Sequence, residues 1–243
     1  QKGYLLDLIA DRLGLPSTDI LSYDLCIYNA ESGCFIGPDE SMLSSPRLDN
    51  ITSVSACLNG IINGEREGGL NVAVFYDHEE IGSKTKQGAD STTLTMLLEK
   101  IALSLGLTRE EFLNLRMSGT LLSCDVAHAV HPNHAELSDE SCQALMNRGI
   151  VLKMNSNQRY PTDATGIARI LGICKEQDIP YQYFMNRADL TGGGTIGAYA
   201  SSQLGICTID CGVPILAMHS ARELMGAYDQ ESLERLLSAY FSI

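Results

Sequence analysis

Thr120-Leu121-Leu122-Ser123-Cys124 is a short, largely apolar run that ends directly at Asp125, with His128 and His131 close behind. A run of this length reads as a buried strand that delivers a carboxylate at its carboxyl end. Upstream, Leu94, Leu97, Leu98, Ile101 and Leu105 recur at helical spacing behind Asp90 or Ser91 as cap. Further upstream, Val72-Ala73-Val74-Phe75-Tyr76 predicts another strand covered on both faces, running into Asp77-His78-Glu79-Glu80. Downstream, strands are expected at 150–154, 181–185 and 206–210, and helices at 164–175 and 229–241. This alternation predicts an α/β domain from Ser45 onward, a three-layer sandwich whose mostly parallel central sheet is flanked by helices. Residues 1–44 form a smaller unit. Leu5, Leu6, Leu8, Ile9 and Leu13 mark a helix stopped by Gly14 and Pro16, and Tyr23–Tyr28 alternates like a half-exposed strand.

The 243 residues carry 17 Lys plus Arg against 30 Asp plus Glu, a formal net charge of −13. That excess argues against a nucleic-acid partner, which requires a basic stripe, and against a polybasic membrane patch. No apolar run is long enough to span a bilayer. Eight cysteines lack zinc-ribbon spacing, since Cys207 and Cys211 form a single close pair, and they read as free buried thiols of a reducing, cytoplasmic compartment.

Ligands of open α/β sheets bind beyond the carboxyl ends of strands. There the sequence places Glu79 and Glu80, Asp125, and a loop with His219, while Asp49 opens a helix after the turn Ser45-Pro46-Arg47-Leu48. Several carboxylates crowded together raise one another's pKa values, and a divalent cation removes that penalty. Zinc accepts both carboxylate oxygen and imidazole nitrogen, and adjacent Glu79 and Glu80 can divide proton transfer and metal binding between them. Each residue alone also has a plainer reading. Asp49 can cap its helix, Glu79, Glu80 and Asp125 can be solvated loop acids, and His219 can be a satisfied core histidine. His128, His131 and His134 read as structural or surface groups. Gly192-Gly193-Gly194 lacks the surroundings of a nucleotide loop and fits close backbone approach to a ligand.

Six segments in order change the weight of these alternatives. Ser-Pro-Arg-Leu-Asp-Asn (45–50), Tyr-Asp-His-Glu-Glu-Ile-Gly-Ser (76–83) and Asp-Val-Ala-His-Ala-Val-His-Pro-Asn (125–133) resemble the M18 aminopeptidases. So do Lys-Met-Asn-Ser-Asn-Gln-Arg-Tyr (153–160), Gly-Gly-Thr-Ile-Gly (193–197) and Ala-Met-His-Ser-Ala-Arg-Glu (217–223). The resemblance implies a zinc-exopeptidase-like fold and release of N-terminal residues, Asp or Glu by preference, from peptides with a free N-terminus. It implies Asp49 as a carboxylate bridging two zinc ions, Glu79 as general base, and Glu80 with His219 as ligands of one ion. Asp125 is implied as a ligand of the other, and Lys153 and Tyr160 as neighbours of the substrate's acidic side chain. Manganese or cobalt also suits such ligands.

The family's second metal-binding histidine sits in an upstream segment without a counterpart here, so one of the two zinc sites is expected to be incomplete. Residues 1–44 then correspond to the tail of an inserted dimerisation domain, and 45–243 to the C-terminal part of the catalytic domain, with the N-terminal part of the fold missing. Family dimers that build a dodecamer make a homo-oligomer the expected state. The rival expectation is a catalytically impaired remnant that serves as an oligomerisation or binding module.

Overall fold

The computed structural model describes residues 3–243, which divide into two compact units, one ending at Ala30 and one spanning Glu31–Ile243. In the first, helix α1 (Tyr4–Leu13) ends as the sequence predicts. Gly14 takes the left-handed conformation (φ 69°) and its N–H returns to the carbonyls of Ala10 and Asp11. The expected strand at Tyr23–Tyr28 does not form: residues 20–30 have no regular structure, and Leu21 and Ile27 are exposed. Alternation alone does not make a strand; its N–H and C=O groups need a ladder partner, and no described strand supplies one.

The second unit contains strands β1 (Cys34–Ile36), β2 (Met42–Ser45), β3 (Thr120–Cys124), β4 (Ala127–His128), β5 (Ile150–Met154), β6 (Tyr181–Met185), β7 (Cys207–Gly212), β8 (Pro214–Leu216) and β9 (Glu223–Gly226). Its helices are α2 (Leu48–Asn63), α3 (Thr93–Ser104), α4 (Arg109–Ser118), α5 (Ala164–Glu176), α6 (Ile196–Leu204) and α7 (Ala227–Tyr240). The expected α/β sandwich is therefore present. One sheet has the order β3-β7-β5-β6, parallel at both ends and antiparallel between β7 and β5. The other, β1-β2-β9-β8-β4, is mostly antiparallel, so the parallel character expected from the sequence holds for the β3–β7, β5–β6 and β4–β8 ladders only. Because β2 pairs with β9, residues 31–44 belong to this compact unit.

Val72–Tyr76 is not a strand. It belongs to neither described sheet, and Val72, Val74 and Phe75 are substantially exposed. Helix α3 does form, with the Thr93 N–H donating to Ser91 Oγ at 3.4 Å, whereas Asp90 accepts from Gln203 instead.

Strand alternation positions the site. Ile150 and Leu152 of β5, and Ile209 and Cys211 of β7, join Ile170, Leu233, Leu236 and Leu237 of α5 and α7 in the main core. The intervening residues face the other way. Val151 packs with Tyr160 and Phe184, and Lys153 stands opposite Asp210, which stands opposite Ser123. A polar row thus crosses three strands on one face of an otherwise apolar sheet. Among the described residues no helix is long and apolar enough to cross a membrane.

Candidate metal centre

Three segments bring side chains to one point. Arg47 is left-handed (φ 57°), and Asp49 and Asn50 have non-helical backbone, so α2 becomes regular only beyond them. Asp49 therefore does not act as a cap: its Oδ2 lies 3.2 Å from His219 Nε2. Glu79 and Glu80 form a single 3-10 turn between left-handed His78 and Gly82, and Glu80 Oε2 is also 3.2 Å from His219 Nε2. His219 follows β8 with φ 64°. One donor atom from each of Asp49, Glu80 and His219 lies within 4.8 Å of the others, a separation that a single cation can span. Two oxygens and one imidazole nitrogen are a donor set that zinc accepts.

Electrostatics points the same way. Burial, then the charges of Asp125, Glu80 and Glu223, push the Asp49 carboxyl up to about 7 against a smaller opposing effect of His219. Burial, then Asp125 and Glu80, push Glu79 up to about 7 as well. Carboxylates arranged so that they resist ionisation are a place where bound positive charge is stabilising.

Asp49, Glu79, Glu80, Asp125, Lys153, Tyr160 and His219 all line one cleft of about 610 Å³. Asp125 continues from β3, with its N–H donating to the Cys211 carbonyl at 2.9 Å. Gly212 permits this approach, because a Cβ there would fall 1.8 Å from the Asp125 carbonyl oxygen. The Asp125 carboxylate Oδ2 lies 3.6 Å from Lys153 Nζ. Lys153 is 1% exposed and also pairs with Asp210 Oδ1 at 3.4 Å, with its ammonium 5.4 Å from the Tyr160 ring centre. Burial pushes the lysine down, but Asp125 and Asp210 outweigh it and hold its pKa above the usual value. The ammonium expected to face substrate is thus already matched by two carboxylates of the chain. His131 and His134 lie on the cleft wall with ring centres 5.2 Å apart and do not belong to the three-residue cluster.

Sequence reasoning missed two acids. Asp210 is fully buried and accepts from Ser123 Oγ at 3.0 Å and from Thr195 Oγ1; the only hint was an acid inside an apolar strand. Glu223, 2% exposed, accepts the backbone N–H groups of Asp49 and His219; it closes one of the quoted segments, yet no local pattern gave it a role.

Carboxylates and an imidazole converging in one cleft of an α/β sandwich are a donor set of the kind metallohydrolases use. Among these enzymes, the family described as Aminopeptidase I zinc metalloprotease (M18) matches residues 1–241, and the chain belongs to that family. It is 40% identical over 243 residues to a probable M18 family aminopeptidase 2 of Clostridium acetobutylicum, covering 100% of this chain and 56% of that protein. Among solved structures it resembles Ape4 in the cryo-EM structure of the Ape4 and Nbr1 complex, with a TM-score of 0.90 and 34% identity over 98% of this chain and 47% of that one. It also resembles the S. cerevisiae mApe1 dodecamer, with a TM-score of 0.83 and 28% identity over 98% of this chain and 54% of that one. The chain therefore spans about half the length of the relatives it matches.

Proposed function

We propose that the protein containing this chain is a zinc aminopeptidase that releases N-terminal residues, acidic ones by preference, from peptides. The observation that carries the reading is the convergence of Asp49, Glu80 and His219 from three separated segments onto one point. Asp49, Glu80 and His219 would hold one zinc ion, and Asp125 a second one together with groups beyond this chain. Zinc held there supplies a Lewis acid for the peptide carbonyl and makes water more acidic. Glu79 is the general base: it lines the same cleft without belonging to the ligand cluster, and a carboxyl near 7 is suited to taking a proton at neutral pH. Lys153 and Tyr160 form the wall against which an acidic first side chain rests, with the ammonium exchanging Asp125 for the substrate carboxylate. Manganese and cobalt are alternative occupants.

Residues 1–44 are proposed as the tail of an inserted dimerisation domain and 45–243 as the C-terminal part of the catalytic domain. Assembly into a homo-oligomer is supported by the dodecamer of a structural relative and by the exposed apolar side chains of Val72, Val74 and Phe75. A cytoplasmic location is supported by eight free cysteines, although Cys26 and Cys34 are exposed rather than buried.

The test is hydrolysis of Asp- and Glu-anilides by the full-length protein, with and without a chelator. Zinc-dependent release is expected. Zinc retained without any hydrolysis would favour the rival reading, a catalytically impaired binding module.

A further inference from the structure

We propose that Glu223 is the positioning residue of this metal centre, fixing two of its ligands through their backbones; the inference rests on Asp49, Glu80 and His219 being those ligands. Glu223 Oε2 accepts the Asp49 N–H at 2.9 Å and Oε1 accepts the His219 N–H at 2.7 Å. Its carboxylate is thereby divided between a segment four residues away and one 174 residues away. Both recipients lie in irregular backbone that offers no helix or ladder partner for these amides: Asp49 has φ −78° and ψ 106°, and His219 has φ 64°.

Glu223 is held rigidly at its own end. It begins β9, opposite Ser45 of β2, and is 2% exposed. A buried carboxylate that accepts two N–H groups is costly to move, since a donor released in the interior is left without this acceptor. The distance between the Asp49 and His219 side chains is therefore set by one rigid group that touches neither side chain. Nor does Glu223 contribute a donor atom to the three-residue cluster. Its negative charge adds to the field that favours a cation, and it is one of the charges that push the Asp49 carboxyl up.

Glu223→Gln retains the shape but offers one acceptor oxygen and an NH2 that faces an N–H. Outer partners of metal ligands typically change affinity about 10–100-fold when removed, and a loss of about that size in zinc affinity is expected for the full-length protein. Glu223→Asp keeps the charge but is one methylene short of spanning both amides, and is expected to fall in the same range. Asp229→Asn is the control for stability. Asp229 is also buried and accepts two backbone N–H groups, of Asn147 at 2.6 Å and Gly149 at 2.7 Å, away from the cleft. It should lower the melting temperature and leave zinc affinity within about twofold, against the 10–100-fold of an outer partner.

Zinc affinity unchanged in Glu223→Gln, or lowered equally in Asp229→Asn, would overturn the proposal. Should the Glu223 variants not fold, hydrogen exchange of the unaltered protein decides. The Asp49 and His219 amides are expected to be protected without zinc, and free exchange at either would overturn it. An unaltered protein that binds no zinc at the cluster would overturn the ligand assignment and this proposal with it.

Discussion

Lys153 Nζ lies 3.4 Å from Asp210 Oδ1, and neither side chain reaches solvent: they are 1% and 0% exposed. The pair faces the cleft side of the sheet because β5 and β7 place these residues opposite each other in register. Removing one partner of a buried ion pair leaves the other charge uncompensated, which costs about 3–5 kcal/mol. Lys153→Met is expected to lose stability on that scale in urea unfolding. Lys153→Met combined with Asp210→Asn should lose less than the single substitution. Equal losses would mean that the charges are not coupled.

The pH dependence has a definite sign. Asp49 and Glu79 are pushed up to about 7, above the ordinary carboxylate range of roughly 4. Between those values the native state binds more protons than the unfolded chain, so stability of the metal-free protein falls as pH rises from about 4 to 7. Zinc must displace the Asp49 proton and its charge disfavours the one on Glu79, so its affinity is expected to rise through the same window. Calorimetry in buffers of different ionisation enthalpy should register proton release on zinc binding at pH 6 and much less at pH 8. Release independent of pH would show that these carboxyls do not titrate there.

Glu79→Gln removes the base and leaves Asp49, Glu80 and His219 intact. It is expected to keep its zinc while losing at least about 100-fold in kcat, the lower range for general base catalysis. Turnover within a few-fold of the unaltered protein would assign the base elsewhere.

Two glycines of the cleft region should behave oppositely. A Cβ at Gly212 meets the Asp125 carbonyl at 1.8 Å, whereas one at Gly193 meets nothing within 4 Å. Gly212→Ala is therefore expected to destabilise by at least about 1–3 kcal/mol, and Gly193→Ala to stay within about 0.5 kcal/mol. Thermal unfolding of the two variants distinguishes them.

Part of this was legible in the sequence because one strand end and one acid coincide, at Cys124 and Asp125. Asp125 follows its strand as expected, α5 and α7 form close to their predicted spans, and every proposed site residue lines one cleft. Val72–Phe75 failed because an apolar run becomes a strand only beside another, and that partner is a property of the whole sheet. Tyr23–Tyr28 failed for the same reason. Glu223 and Asp210 were invisible as functional residues because their roles depend on residues far away in sequence: Asp49 for one, Ser123 and Lys153 for the other. Lys153 shows the limit most clearly. Its place at the cleft followed from resemblance, but its engagement with two carboxylates followed only from strand register.

The most direct test of the account is zinc bound per chain at neutral pH, by elemental analysis, in the unaltered full-length protein and in His219→Ala. His219 gives Asp49 and Glu80 their shared nitrogen at 3.2 Å from each. The account predicts tightly held zinc in the unaltered protein and one ion fewer in His219→Ala. Equal zinc content in the two proteins, or none in either, would contradict it.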